Sequence, residues 1–174
     1  MSSKPNQGFS TRAIHAGQDP DPRTGAVNVP IYASSTFAQD GVGQLREGYE
    51  YARTGNPTRR ALEENLAALE GGSHGRAFAS GMAATDTALR SMLRPGDHLV
   101  IPDDAYGGTF RLIDKVFSNW GVSHTPAPVN DLAAIEAAIS ESTKLVWIET
   151  PTNPLLNIGD IAAIAQIAHR AGAK

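Results

Sequence analysis

Hydrophobic residues beyond about position 55 follow two different spacings along the chain. Some recur every three or four positions, which indicates one face of a helix, and others form short continuous runs, which indicate buried strands. The helical spacing predicts helices over 56–70, 80–93, 108–119, 132–139 and 160–170. The apolar runs predict strands over 76–79, 98–101, near 122 and over 145–148. Strands that alternate with helices in this way predict an α/β domain with a largely parallel sheet.

Polar residues and glycines mark the ends of several predicted helices. Asn56 precedes Pro57, which is a helix start with a cap and a proline at the first helical position. Ser80 and Asp160 stand where caps are expected for two later helices. The first helix is predicted to end at Gly71, and the segment 94–97 (Arg-Pro-Gly-Asp) predicts a type II turn.

Residues 1–55 show no sustained helical period and are rich in glycine, proline and polar residues. A long irregular segment in a compact domain is either disordered or functional. This one contains apolar and aromatic side chains that need a place to pack, namely Ile31, Tyr32, Phe37, Tyr49 and Tyr51. We therefore interpret 1–55 as an arm for contact with another subunit, with a poorly ordered terminus as the alternative for 1–25.

Composition narrows the class of protein further. The 174 residues are 41% hydrophobic and 19% charged, and the formal net charge of −3 argues against nucleic-acid binding. No apolar run reaches the length of a membrane span, and residues 1–17 lack the apolar core of a secretory signal. The chain has no cysteine, and its five histidines show no metal-site spacing. A cytoplasmic protein that acts on small molecules, without a membrane or nucleic-acid partner, is expected.

Three loops are predicted to follow strands, at the sheet edge where ligands bind in α/β proteins. Ser80, Gly81 and Met82 open a helix, so their backbone N–H groups could hold a phosphate, although an ordinary capped helix has the same sequence. Tyr106 precedes two glycines and could lie against a planar ring, or simply pack within its loop. Asn153 stands between two prolines in a polar loop that is either functional or structural.

The arm carries a fourth candidate. Tyr51 and Arg53 alternate onto one face if the segment is extended, and an arginine can bind a phosphate with two hydrogen bonds. The alternative is a solvated arginine beside the Asn56 cap.

Together these motifs resemble the Cys/Met-metabolism family of pyridoxal-phosphate enzymes. The motifs, in order, are 51–58 (Tyr-x-Arg-x-Gly-Asn-Pro-Thr), 80–84 (Ser-Gly-Met-Ala-Ala), 104–109 (Asp-x-Tyr-Gly-Gly-Thr) and 149–154 (Glu-Thr-Pro-Thr-Asn-Pro). The resemblance extends from Phe9 to Lys174 and implies the aspartate-aminotransferase-like transferase fold, called fold type I. It also implies γ-replacement on an activated homoserine ester by cysteine, with a γ-lyase or a homoserine-ester sulfhydrylase as alternatives.

The resemblance assigns roles around the cofactor phosphate. Backbone amides at Gly81 and Met82, together with Ser80, are implied to bind the phosphate of pyridoxal 5'-phosphate. Tyr51 and Arg53 are implied to reach the same phosphate from a neighbouring subunit. A dimer of shared sites, assembled into a homotetramer, is therefore expected.

The resemblance also assigns roles around the cofactor ring and the substrate. Tyr106 is implied to stack on the ring and to assist proton transfer. Asn153 is implied to lie near the ring hydroxyl and the substrate carboxylate, and Glu50 and Arg111 to lie on the substrate side.

The family pattern includes two groups that these residues do not supply. A pyridoxal enzyme needs a lysine that forms a Schiff base with the cofactor and an acid that pairs with the pyridine nitrogen. The resemblance implies that both follow the region that matches Lys174. The four lysines present, Lys4, Lys115, Lys144 and Lys174, do not stand in the family's context for that residue. We interpret 56–174 as the first part of the cofactor domain, ending before that lysine, and expect the 174 residues alone to be inactive. A non-catalytic fragment is the alternative of another class.

Overall fold

The computed structural model describes residues 7–174, which form two compact units, one ending at Ala77 and the other spanning Phe78–Lys174. The first six residues of the predicted arm lie outside the described residues. The expected division into an arm over 1–55 and a cofactor domain from 56 stays a prediction.

The first unit contains two helices and a small hairpin. Helix α1 is Phe9–His15, strands β1 and β2 are Gln39–Gly41 and Gln44–Leu45, and helix α2 is Pro57–Glu70. The two strands pair antiparallel, and a longer extended pairing joins 35–37 to 50–52, with Phe37 N donating to the Glu50 carbonyl at 3.0 Å. This pairing fixes the backbone on which Tyr51 lies.

Helix α1 has no counterpart among the predicted elements, and its attachment explains why. None of its residues is buried, so no apolar period marks it in the sequence. Its carboxyl end is held instead by the side chain of Asn65, whose amide nitrogen lies 3.0–3.1 Å from the carbonyl oxygens of Arg12, Ala13 and Ala16. Gly17 follows with a φ of +70°, where a side chain would collide with α2.

Helix α2 begins and ends as predicted. The side-chain oxygen of Asn56 accepts hydrogen bonds from the N–H groups of Thr58 and Arg59, and Gly71 ends the helix in the left-handed conformation. The leucines at helical spacing in α2, Leu62, Leu66 and Leu69, predict that their face packs inward, but Leu62 and Leu66 are exposed while Ala61 and Ala67 are buried.

The second unit has the predicted α/β order. Its elements are α3 (Gly81–Met92), β3 (His98–Pro102), α4 (Gly107–Arg111), β4 (Ser123–Ala127), α5 (Leu132–Ala138), β5 (Thr143–Val146) and α6 (Ile161–Arg170). Strand β3 lies between β4 and β5 and is parallel to both. Ser80, Asp131 and Asp160 cap three of the helices. The turn at 94–97 is confirmed, with Gly96 at a φ of +94°.

The core lies on both faces of β3, all five residues of which are buried. Leu99 and Ile101 pack on one face with residues of α3 and of the helical segment after α4, among them Leu89, Ile113 and Phe117. Val100 packs on the other face with Ile135 of α5 and with Ile164 and Ile167 of α6. Helices therefore cover both sides of the sheet, as the α/β prediction requires.

Two predicted elements differ in the structure. The strand predicted over 76–79 is wrong, because Ala77 N donates to the Glu63 side chain at 3.0 Å and not to a neighbouring strand. The helix predicted over 108–119 is present but changes its hydrogen bonding: α4 continues as a π-helical segment over Leu112–Phe117 and a 3₁₀ turn over Ser118–Trp120.

The backbone of Lys174 pairs with β5 on the edge away from β3. Lys174 N donates to the Lys144 carbonyl at 3.0 Å, and the Lys174 carbonyl accepts from Val146 N at 2.8 Å. These two bonds have the pattern of a parallel pairing, so the backbone of Lys174 is bonded to β5 as a strand residue would be. Trp147, predicted to be buried, is half-buried against the core and extends the pairing of β5 with β3.

Removing the Asn56 cap should destabilise the first unit. Asn56→Ala loses the acceptor for Thr58 N at 2.9 Å and the donor to the Tyr32 carbonyl at 2.9 Å, so we expect the free energy of unfolding to fall by about 1–2 kcal/mol. Asn56→Asp keeps the cap acceptor and should lose less than about 1 kcal/mol. Urea unfolding of both variants checks this, and equal losses would contradict a role for the cap.

His98 at the start of β3 should make stability depend on pH. Its ring nitrogens lie 2.8 Å and 2.9 Å from the hydroxyls of Thr143 and Thr125. Burial, with repulsion from His124 as a smaller cause, lowers the pKa of His98 below its usual value.

The unfolded chain, in which the pKa of His98 is about 6.5, therefore binds the proton first as the pH falls. The stability that neutral His98 contributes is present above about pH 6.5 and is lost as the pH falls through the lower folded pKa. We expect the free energy of unfolding to fall below about pH 6.5 in the wild type and to fall less steeply in His98→Gln. If the free energy of unfolding falls with pH equally steeply in the two proteins, this assignment is refuted.

Candidate functional site

The start of α3 presents free backbone donors to open space. Ser80 uses its side chain as the helix cap, accepting from Ala83 N at 3.1 Å. Within the described residues, the N–H groups of Gly81 and Met82 have no hydrogen-bond partner. A Cβ atom placed on Gly81 would meet no atom within 4 Å. Two free donors at the positive end of a 12-residue helix, with open space before them, form a good anion-binding geometry.

The Tyr106 ring lies close to this helix start. Tyr106 precedes α4, and its side chain is 46% exposed. A Cβ atom added to Gly108 would overlap the Tyr106 ring and would lie 2.9 Å from the Met82 sulfur. Gly108 therefore lets the aromatic ring and the Met82 side chain meet over its backbone. The ring is free on its exposed side to cover a planar ligand.

Two carboxylates join the loop after β3 to the loop after β5. Glu149 accepts a hydrogen bond from Tyr106 N at 2.7 Å and another from the Trp147 indole N–H at 3.2 Å. In the opposite direction, one carboxylate oxygen of Asp104 accepts from the Thr152 hydroxyl and, at 3.0 Å, from the Asn157 side-chain amide. Each loop thus supplies the acid that holds the other.

Asn153 lies at the exposed surface of the loop that these bonds hold. Its neighbour Thr152 is completely buried, and the Thr152 hydroxyl accepts from Asn157 N at 2.8 Å while it donates to Asp104. The Thr152 backbone is bonded to 156 and 157, both at 3.0 Å. Asn153 is therefore exposed on a loop that is held together by its own hydrogen bonds.

In the first unit, Tyr51 and Arg53 contact each other across a turn and not along an extended segment, since Thr54 N and Gly55 N donate to the Tyr51 carbonyl at 3.0 Å and 2.9 Å. The guanidinium carbon of Arg53 lies 4.8 Å from the centre of the Tyr51 ring, a cation–π contact. Arg59 of α2 holds this segment, since it donates to the Ala52 carbonyl at 2.9 Å and to the Arg53 carbonyl at 3.3 Å. Arg53 has no carboxylate partner in the part of the chain that the structure describes. Its charge is therefore available to a ligand.

The two residues predicted to lie on the substrate side, Glu50 and Arg111, are both exposed. Glu50 is exposed in the first unit, where its backbone carbonyl pairs with Phe37. Arg111 is exposed at the end of α4, with its guanidinium close to Gly107. The structure thus groups Met82, Tyr106 and the Asn153 loop at one end of the sheet of the second unit, and groups Tyr51 with Arg53 in the first unit.

Sequence reasoning assigned no role to Asp104, Glu149, Thr152 or Asn157. The available signal was the position of Asp104 and Glu149, each a carboxylate within three residues of the end of a strand. Residues 7–174 contain no group of three or more side chains that could hold a metal ion and no helix that could span a membrane.

The residues present fit a ligand that combines an anion with a planar ring. The free N–H groups at the start of α3 suit the anion, and the half-exposed Tyr106 ring beside Met82 suits the planar part. The chain belongs to the family described as Cys/Met metabolism PLP-dependent enzymes, whose pattern matches residues 10–174. The expected fold and pyridoxal phosphate as the family's cofactor are thereby confirmed.

The similar proteins are synthases and lyases that act in cystathionine metabolism. Cystathionine gamma-synthase of Mycobacterium bovis is 71% identical over 167 residues, which are 96% of this chain and 43% of that protein. The crystal structure of metB from Corynebacterium glutamicum has a TM-score of 0.94 and 57% identity, over 97% of this chain and 44% of that one. The crystal structure of cystathionine gamma-lyase from Lactobacillus plantarum complexed with L-serine has a TM-score of 0.90 and 52% identity, over 96% and 43%. The chain thus spans less than half the length of these relatives.

Proposed function

We propose that the full-length protein is a pyridoxal-phosphate enzyme of the cystathionine gamma-synthase type. It would replace the γ-substituent of an activated homoserine ester with the thiol of cysteine, giving cystathionine in methionine biosynthesis by transsulfuration. The observation that carries the proposal is the open start of α3 beside the half-exposed Tyr106 ring, in a chain 71% identical to a cystathionine gamma-synthase.

The cofactor's phosphate would be bound by residues of two subunits. Gly81 and Met82 would donate their free backbone N–H groups to it, and Ser80 would hold that turn through its cap on Ala83. Arg53, stacked on Tyr51 and without a carboxylate partner in the described chain, would reach the phosphate of a neighbouring subunit. A dimer with shared sites, assembled further into a tetramer, and a cytoplasmic location are part of this proposal.

The ring and the substrate would be held by the second unit's loops. When bound, pyridoxal phosphate supplies an electron sink that weakens bonds at the α and β carbons of an amino acid. Tyr106 would orient the ring by stacking and would move a proton at its hydroxyl. Asn153 would hold the ring hydroxyl and the substrate carboxylate, and Glu50 and Arg111 would contact the substrate's polar end.

Two further activities compete with the synthase, and one alternative is of another class. A cystathionine gamma-lyase is favoured as the second candidate by the 52% identity to the Lactobacillus plantarum protein. A homoserine-ester sulfhydrylase would use sulfide in place of cysteine. A non-catalytic fragment would carry none of these activities.

The activity test uses the full-length protein saturated with pyridoxal phosphate. Incubation with an acyl homoserine and cysteine should give cystathionine, detected by mass spectrometry. Parallel reactions with cystathionine alone, and with the ester and sulfide, identify the lyase and the sulfhydrylase. Failure to form a product in all three reactions would contradict the proposed class of enzyme.

Arg53 provides a direct test of phosphate capture. A hydrogen bond to a charged group contributes about 1.5–3 kcal/mol, and about 1.4 kcal/mol corresponds to tenfold in affinity. Arg53→Ala in the full-length protein should therefore weaken pyridoxal-phosphate binding by roughly ten- to a hundredfold. Arg46→Ala is a matched control in the same unit, because Arg46 is exposed and paired with Asp40 at 2.6 Å.

A mixing experiment separates capture within one subunit from capture between subunits. Arg53→Ala mixed with a variant that lacks the cofactor lysine should recover part of the activity, since one site of the mixed dimer keeps both intact parts. Equal cofactor affinity in Arg53→Ala and the wild type would mean that Arg53 is only a solvated neighbour of the Asn56 cap.

A further inference from the structure

The two loops that end at the candidate site are cross-linked by bonds that the cofactor would not touch. Parallel strands β3 and β5 are neighbours, so the loops that follow them leave the sheet at the same edge. One loop carries Tyr106 and the other carries Asn153. The distance between these two side chains is therefore set by whatever joins the loops.

The joining bonds centre on Asp104 and Thr152. One oxygen of the Asp104 carboxylate accepts from the Thr152 hydroxyl and from the Asn157 amide, while the other oxygen is buried without a partner in the described residues. A carboxylate with a buried oxygen depends on the few donors that it has, because water reaches only part of it. The loss of either donor should thus loosen the contact between the loops.

Thr152 also closes its own loop. Its hydroxyl accepts from Asn157 N at 2.8 Å, so one oxygen atom both seals the loop over 152–157 and fastens that loop to Asp104. Thr152 has no exposed surface, so neither a cofactor nor a substrate can touch it. Any effect of Thr152 on ligand binding must pass through the position of the loops.

We propose that Thr152 is a positioning residue of this site, which through Asp104 fixes the Asn153 loop against the Tyr106 loop. Glu149 reinforces the same arrangement from the opposite side by accepting from Tyr106 N at 2.7 Å. Together they hold the residue that would stack on the cofactor ring, Tyr106, and the residue that would contact the ring hydroxyl, Asn153. The identity of the ligand in this inference rests on the proposed function. The contact between the two loops does not depend on that function.

The experiment compares Thr152→Val, which removes the hydroxyl at nearly constant volume, with Thr152→Ser, which keeps it. In the full-length protein, Thr152→Val should raise the dissociation constant for pyridoxal phosphate roughly tenfold, the lower end of what the loss of an outer hydrogen-bond partner costs at metal sites. It should also speed amide hydrogen exchange at Leu156 and Asn157, measured without cofactor. Thr152→Ser should stay within about threefold of the wild type in affinity.

Thr143→Val is the matched control. Thr143 is equally buried and lies at the opposite end of the same sheet, where its hydroxyl contacts His98 and Ser140. Loss of the Thr143 hydroxyl should lower the free energy of unfolding without changing cofactor affinity or the rate of amide hydrogen exchange at Leu156. If Thr152→Val does not fold, Asn157→Ala, which removes one donor to Asp104 from a partly exposed position, should weaken cofactor binding about threefold.

The outcomes are distinct. Unchanged cofactor affinity in Thr152→Val, or equal weakening in Thr152→Val and Thr143→Val, would overturn the inference and leave the proposed function intact. A wild-type protein that fails to bind pyridoxal phosphate would overturn the proposed function, while the exchange rates at Leu156 and Asn157 would still decide whether Thr152 closes the loop. Exchange rates that match the wild type would overturn the inference whatever the ligand.

Discussion

The burial of β3 on both faces and along both edges is the constraint on which the second unit depends. Every residue of this strand is buried, and its hydrogen-bonding groups are paired with parallel strands on either side. Such a strand is stable only when helices cover both faces, which explains why Leu99 and Val100 pack in opposite directions against separate groups of helices. Because the neighbouring strands run in the same direction, their following loops meet at one edge, and the candidate site lies there.

The site contains exposed residues that are available to a ligand and buried residues that keep the exposed ones in position. Tyr106 and Asn153 are exposed and available to a ligand, whereas Thr152 is buried and Asp104 has a buried oxygen. Charge-assisted hydrogen bonds are stronger than neutral ones, so two carboxylates suffice to fasten two loops. The arrangement suits a binding site, because the side chains that orient a ligand must themselves be held in fixed positions.

The first unit is organised by polar side chains more than by a large apolar face. Asn65 holds the end of α1, Asn56 joins α2 to the segment near Tyr32, and Arg59 holds the carbonyls of the segment that carries Arg53. A single amide side chain can satisfy several backbone groups that a short helix or a turn leaves unpaired. This is consistent with an arm whose apolar residues, such as Ile31 and Val42, are exposed in the described chain.

The sequence alone determined what depends on local rules: the caps at Asn56, Ser80 and Asp160, the glycine turns, the α/β order of the second unit, and the candidates Gly81, Tyr106 and Arg53. Each of these is encoded within a few neighbouring residues, either as a capping side chain or as a repeated apolar spacing. Helix α1 escaped prediction because Asn65, some fifty residues away, supports it, and the strand expected over 76–79 failed because Glu63 takes the Ala77 N–H group. The tertiary structure alone decided that Asp104 meets Thr152 and that Glu149 meets Tyr106, since these partners lie 48 and 43 residues apart and are joined only by the pairing of β3 with β5.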